Sequence, residues 1–428
     1  MGLALIVIGV VPQEGIRGSI SRSVEYLEGR DLFPYIRGGV FNTRQDNYAD
    51  AILFNIIYYG DSDNPFHSLL SGMYYNQDGT DVINNLSKAV TDNPKANTEY
   101  SRYWHGSMVF IRPLLLFVSI KEIRIILAFF VIVVLGICIG VLVRRGLKGY
   151  ACCLFVGLLL VKVWMIAYSI EYVMTFIVMA MTLLGVLIVT RGTDSKMVHK
   201  RLVSLFAASG VCTCFFDFLT TETLPLTIPL LTVIILSDKS RKLKSWRDSL
   251  KPTFLYTLIF SCSYGVMFIV KWVLSAIFLD INTYSSTLSS IVERSVGFVN
   301  IGNSTLSPRA STLQKLSGAI FRNLGCLFPF KDEMHTKTVL ALVVGVLILV
   351  LSCIYLLHSN KLYKDLGVLI GLVSCIPIVR FLVLSNHAYL HYFFTYRALL
   401  ASVVGLLYYT WVCIREYVIR RFKIERGS

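Results

Sequence analysis

The feature that most constrains this chain is a series of apolar runs, each long enough to cross a lipid bilayer as a helix. A span needs about 17–25 largely apolar residues, because only a closed helix satisfies its own backbone in hydrocarbon. Ile125–Val143, Tyr150–Tyr168, Tyr172–Thr190, Leu202–Leu219, Thr253–Leu279, Val339–Leu357, Leu366–Leu384 and Ala398–Ile414 meet that description. Leu224–Ser237 is shorter, and Pro225 and Pro229 mark it as a tilted or broken span. Met1–Val11 is apolar but too short to cross unaided. It lacks the basic start and small-residue cleavage site of a signal peptide, and reads as a span shortened at its start. The runs predict an all-α polytopic membrane protein of about ten transmembrane helices.

Composition agrees. Of 428 residues, 55% are hydrophobic and 16% charged, where a soluble domain carries about 25% charged. The net charge of +15 raises the question of nucleic acid, and its distribution answers it. Assigning connections alternately to two sides places 144–148, 191–201, 238–251, 358–365 and the tail from Arg415 together. That side holds 20 of the 41 Lys/Arg and 6 of the 26 Asp/Glu. The other side is nearly neutral. Short basic loops mark the cytoplasmic face, so the surplus is a topology signal and a contact for membrane lipids, with no nucleic acid implied. Nine of the ten cysteines lie in or beside apolar runs and only Cys326 in an outer segment, which implies no disulfide framework. A long outer loop without cysteine fits a bacterial cell membrane.

The expected organisation follows. Residues 1–12 form the first membrane segment and 13–124 a large outer loop. Residues 125–279 hold membrane helices, 280–338 a second outer loop, 339–414 further membrane helices, and 415–428 a basic cytoplasmic tail. The first outer loop is not a linker. Tyr48–Tyr58 places Ile52, Leu53 and Ile56 on one side of a helix. Phe66–Tyr75 and Asn84–Val90 have helical spacing too. Met108–Ile120 is apolar but broken by Arg112–Pro113, as in a helix lying in the outer interface.

Five stretches carry polar chemistry. In "TRQDNYAD", Asp46 and Asp50 stand four apart and share a helical face. A carboxylate there can take a hydroxyl proton or hold a divalent ion such as Mg or Mn. Equally, Asp46 can cap the helix and Asp50 lie on its surface. In "GDSDNP", Asp61 and Asp63 are candidate metal ligands among residues that also build turns. "YSRYWHGSMVFIRP" sets Trp104, His105 and Arg112 at the interface, as an aromatic anchor or a lipid-phosphate site. "FFDFLTTETLPL" brackets a turn with Asp217 and Glu222, either paired internally or facing substrate. "SNHAYLHYFFTYRAL" gathers His387, His391, Tyr396 and Arg397 before the last span. Aromatic faces pack on sugars and Arg holds phosphate, whereas an aromatic belt asks for no histidine pair.

The segments "DNYAD", "YWHG", "DFLTT" and "HYFFTYR" together resemble the GT-C superfamily of integral-membrane glycosyltransferases, within a group of bacterial surface-polysaccharide proteins. The resemblance implies a polyprenyl-phosphate sugar donor, a glycan or lipid acceptor, and an acid of the first outer loop as base or metal ligand. Asp46 matches that acid best and Asp50 second. The superfamily's usual acid pair is adjacent or spaced by one residue; in the first outer loop Asp46 and Asp50 are spaced by three, and the acid–x–acid triplet is Asp61–Ser62–Asp63. Arg397, Arg112, His105, His391 and Tyr396 are expected at the donor phosphate, and Asp217, Glu222, Trp104 and His387 at the substrate. The competing classes are a transporter or flippase of lipid-linked sugars and a non-catalytic partner in polysaccharide assembly.

Overall fold

The computed structural model describes residues 2–36, 43–192, 194–239, 245–279, 311–327 and 361–427, with Val292, Arg294, Ser295 and Gly345 between them. Among the described residues the secondary structure is helical, with two isolated bridges, Tyr35 to Arg44 and Tyr74 to Thr98.

The amino-terminal part is α1 (Gly2–Val10) and α2 (Gln13–Leu27), bent by 90° where Pro12 intervenes. Four helices follow in the first outer loop: α3 (Asn47–Tyr58), α4 (Pro65–Ser71), α5 (Val82–Asp92) and α6 (Met108–Leu114). They match the helices expected there, and local chemistry explains their limits. Asp81 caps α5 by accepting from the Ile83 and Asn84 amides, and Asn93 ends it in the left-handed region. Between those caps Ile83, Leu86, Ala89 and Val90 form the buried stripe. Pro113 ends α6 within one turn, and Phe117 just beyond is 76% exposed, as suits an interfacial piece.

The longer helices that follow are α7 (Ile120–Arg144), α8 (Lys148–Leu160), α9 (Ile170–Val189), α10 (Ser195–Phe216), α11 (Leu224–Lys239) and α12 (Trp246–Leu279). After α13 (Thr312–Gly325) come α14 (Lys361–Val383), α15 (Ser385–Leu390), α16 (Tyr392–Thr395) and α17 (Leu400–Gly427). Short 3-10 turns, Val163–Tyr168 and Tyr396–Leu399, extend α8 and lead into α17.

Among the described residues, six helical stretches are long and apolar enough to span, or seven if the bent α1–α2 pair counts as one. The chain is therefore a multi-pass helical membrane protein, and the described residues hold six or seven of the ten spans that the apolar runs suggested. The runs at 202–219 and 224–237 lie within α10 and α11, which are helical but outside the six. The run at 339–357 lies outside the described residues.

In α7 one stripe, Ile123, Leu127, Val131, Val134 and Cys138, is buried, while Phe129, Phe130, Ile132 and Ile137 face outward. Lipid is as apolar as leucine, so packing here rests on shape and dispersion, and polar contacts select the arrangement. α9 packs on α7, α10 and α11, α10 along α12, and α14 along α17. α3 packs on α5 and α9, α4 on α12, and α13 on α15.

Candidate functional site

The amino terminus of α3 docks on the amino terminus of α9. Both acids four residues apart on α3 meet the same turn, as their spacing predicted, but with different surroundings. Asp50 is fully buried. Its Oδ2 accepts from Arg124 Nε at 3.0 Å and Nη2 at 2.6 Å, and its Oδ1 from the Ile170 amide at 2.9 Å and Ser169 Oγ at 3.3 Å. Burial pushes its pKa up while Arg124 opposes the rise. Both oxygens are thus committed to joining α3, α7 and α9, a structural task where a catalytic one was also expected.

Asp46 caps α3, its Oδ1 accepting from the Ala49 amide at 2.8 Å. Its Oδ2 accepts from Tyr172 Oη of α9. It has no ion pair within 4 Å among the described residues. Burial raises its pKa to about 6, against the opposing bonds from Tyr172 and Ala49. The capping role and a carboxylate poised near neutrality therefore coexist in one side chain.

The same Tyr172 ring lies under Arg397, whose guanidinium carbon is 5.3 Å from the ring centroid. Arg397 is 1% exposed. Its Nη2 donates to Thr43 Oγ1 at 3.3 Å, while Nε and Nη1 are buried without an acceptor. A buried guanidinium with two idle donors is costly unless an anion fills the place. Beside it, Lys162 sits in the left-handed region, φ 56°, at the end of α8. That turn directs its ammonium to the Cys326 carbonyl and over the Tyr396 ring at 4.8 Å. Tyr396 donates to Val161 O at 3.1 Å.

Of the two histidines of the α15–α16 segment His387 is buried and His391 half-buried, their rings 4.8 Å apart. The His391 ring stacks on Phe394, which touches Tyr172. Burial lowers the His391 pKa to about 4 and that of His387 well below its ordinary value. Both are neutral at pH 7 and offer a phosphate no charge.

The remaining expected residues have other neighbours. Arg112 is fully buried and spends its donors on Val11 O (2.7 and 2.9 Å), Ile57 O (2.6 Å) and Gly60 O (2.7 Å). Gly60 admits it, since a Cβ there would stand 1.9 Å from Nη1. Arg112 clamps the ends of α1 and α3, where a lipid phosphate was one expectation. His105 takes a left-handed φ of 50°, and its Nε2 donates to Tyr100 O at 2.8 Å. Burial drops its pKa to about 3, so that ring is neutral too. Trp104 is buried, donating to Met267 O at 3.0 Å beneath Lys271. Asp217 accepts from the Thr220 amide and hydroxyl within its own turn. Glu222 pairs with Arg380 at 2.8 Å, the internal pairing that was one of its two expected fates.

Asp61 and Asp63 lie in an exposed turn where Asp61 Oδ1 accepts the Asp63 amide. No group of three or more His, Cys, Asp or Glu that could hold a metal occurs among the described residues. The donors at this turn do not fit a metal centre. A cleft of about 380 Å³ opens between α12 and the outer loops, lined by Arg102, Tyr103, Tyr264, Trp272 and Arg294 among others.

Sequence reasoning missed Tyr172, which carries no motif signal in an apolar helix. Lys162, at the end of α8, was likewise not among the expected site residues. Comparison with known proteins is negative: no family model, no curated protein and no solved structure matches this chain.

Proposed function

We propose that this chain is a membrane glycosyltransferase of the GT-C type. It moves a sugar from a polyprenyl-phosphate-linked donor to a glycan or lipid acceptor at the outer face of the bacterial cytoplasmic membrane. The observation that carries the reading is the placement of Asp46 and Arg397 about one phenol: a carboxylate with a pKa near 6 hydrogen-bonded to Tyr172, and a buried cation with idle donors over its ring.

The mechanism is a single displacement. Asp46 takes the proton of the acceptor hydroxyl as its oxygen bonds to the anomeric carbon. The bond from that carbon to the phosphate oxygen breaks, and its electron pair leaves with the phosphate. Arg397 Nε and Nη1 stabilise the charge developing there, in a site where desolvation strengthens each contact. Attack opposite the leaving group inverts the anomeric centre, and no covalent enzyme intermediate forms. No step requires a metal ion.

The test is transfer from polyprenyl-phosphate-linked sugars by purified chain in lipid nanodiscs, with the product anomer read by NMR. Inverted product that disappears in Asp46→Asn supports the reading. Retained configuration, or undiminished transfer by Asp46→Asn, removes it.

A further inference from the structure

Arg397 is one of four cations about a single point. Arg44, Lys162, Arg322 and Arg397 all lie within electrostatic reach of Cys326, which follows α13. Only Arg397 was singled out as a phosphate ligand in the sequence. The other three come from the first outer loop, the end of α8, and α13.

They form two stations. The inner pair, Arg397 and Lys162, flanks the Tyr396 ring at 5.1 and 4.8 Å, and both are buried. The outer pair is half-buried. Arg322 stands over Tyr392 at 4.2 Å and Tyr389 at 4.5 Å, and Arg44 over Tyr35 at 4.2 Å. Tyr392 lies within electrostatic reach of both arginines and of Cys326, so the stations are contiguous.

All four donate to neutral oxygens: Tyr35 Oη for Arg44, Cys326 O for Lys162, Tyr389 O for Arg322 and Thr43 Oγ1 for Arg397. Among the described residues none of them is in an ion pair. Arg44 Nε, like Arg397 Nε and Nη1, is buried without an acceptor. Two buried and two half-buried cations, all held by neutral groups among the described residues, suit an anion of more than one charge. A sugar joined to a lipid through one phosphate carries a single negative charge there. A sugar joined through a diphosphate carries two, on adjacent phosphorus centres that match adjacent stations.

We propose that the site takes a diphosphate-linked lipid donor, the inner pair holding the phosphate next to the sugar and the outer pair the second phosphate. This rests on the reading of Arg397 as a donor-phosphate residue.

The experiment is equilibrium binding of farnesyl diphosphate and farnesyl monophosphate to the purified full chain in nanodiscs, a readout independent of transfer. One added charge-assisted contact is worth about tenfold in affinity, so the diphosphate should bind at least that much more tightly. Arg322→Gln and Arg44→Gln should erase the preference while leaving monophosphate binding in place. Arg322→Lys, which keeps the charge, serves where the neutral variant fails to fold, and should retain part of the preference. Equal affinities, or variants that weaken both ligands alike, overturn the diphosphate proposal and leave the phosphate reading standing. Binding of neither ligand overturns both.

Discussion

Tyr172 ties Asp46 to Arg397: its hydroxyl donates to the Asp46 carboxylate, while the Arg397 guanidinium stands 5.3 Å from its ring centre. One side chain of α9 thereby touches both the base and the leaving-group cation of the proposed mechanism. Several consequences can be measured.

Asp46→Asn keeps the shape and the acceptor of the α3 cap but cannot take a proton. Transfer should fall by roughly 10²–10⁴-fold, the usual worth of a general base. The melting temperature should stay close to that of the parent chain. A variant that transfers at the parental rate would move the base elsewhere.

The acidic limb of the rate profile should report Asp46. Its carboxylate is the active form and its pKa is about 6, so kcat/KM should rise as pH increases through that value. The Tyr172 hydroxyl lowers this pKa. Tyr172→Phe should therefore shift the limb to higher pH. A limb that stays put in Tyr172→Phe would separate Asp46 from the observed ionisation.

Asp50 should behave differently from Asp46, four residues before it. Breaking a buried pair leaves Arg124 uncompensated, at about 3–5 kcal/mol. Asp50→Asn should lower the melting temperature by several degrees, with transfer by the folded fraction retained. A stable Asp50→Asn protein without activity would instead make Asp50 part of the chemistry.

Arg397→Lys keeps the charge and loses the planar fork. Donor binding should weaken by about 1.5–3 kcal/mol, one charge-assisted hydrogen bond. Arg112→Lys, whose partners are backbone carbonyls, should cost stability and leave donor affinity unchanged. Calorimetry on both variants distinguishes the two arginines, and the opposite pattern would exchange their roles.

Orientation can be checked with a membrane-impermeant thiol reagent. Asp78→Cys in the first outer loop should label from outside intact cells, and Lys196→Cys at the start of α10 only after permeabilisation. Labelling of Lys196→Cys from outside would invert the topology and every assignment of the outer face.

What could be read along the chain was local. Apolar runs placed α7, α8, α9, α12, α14 and α17, and the helices of the first outer loop followed from periodicity and capping residues such as Asp46 and Asp81. The spacing of Asp46 and Asp50 put them on one face. Nothing in that spacing said which would be spent on Arg124, because the answer depends on where α7 and α9 dock. Arg112 and Arg397 likewise looked alike as arginines beside apolar runs. Tertiary structure gave one a shell of carbonyls and left two donors of the other idle. Thr43 and Arg397 touch across 354 positions, a separation on which no local pattern acts. In a bilayer the apolar face of a helix fits lipid and neighbouring helices alike. The hydrophobic pattern therefore determines which segments span, and the packing of the spans alone decides which polar groups meet.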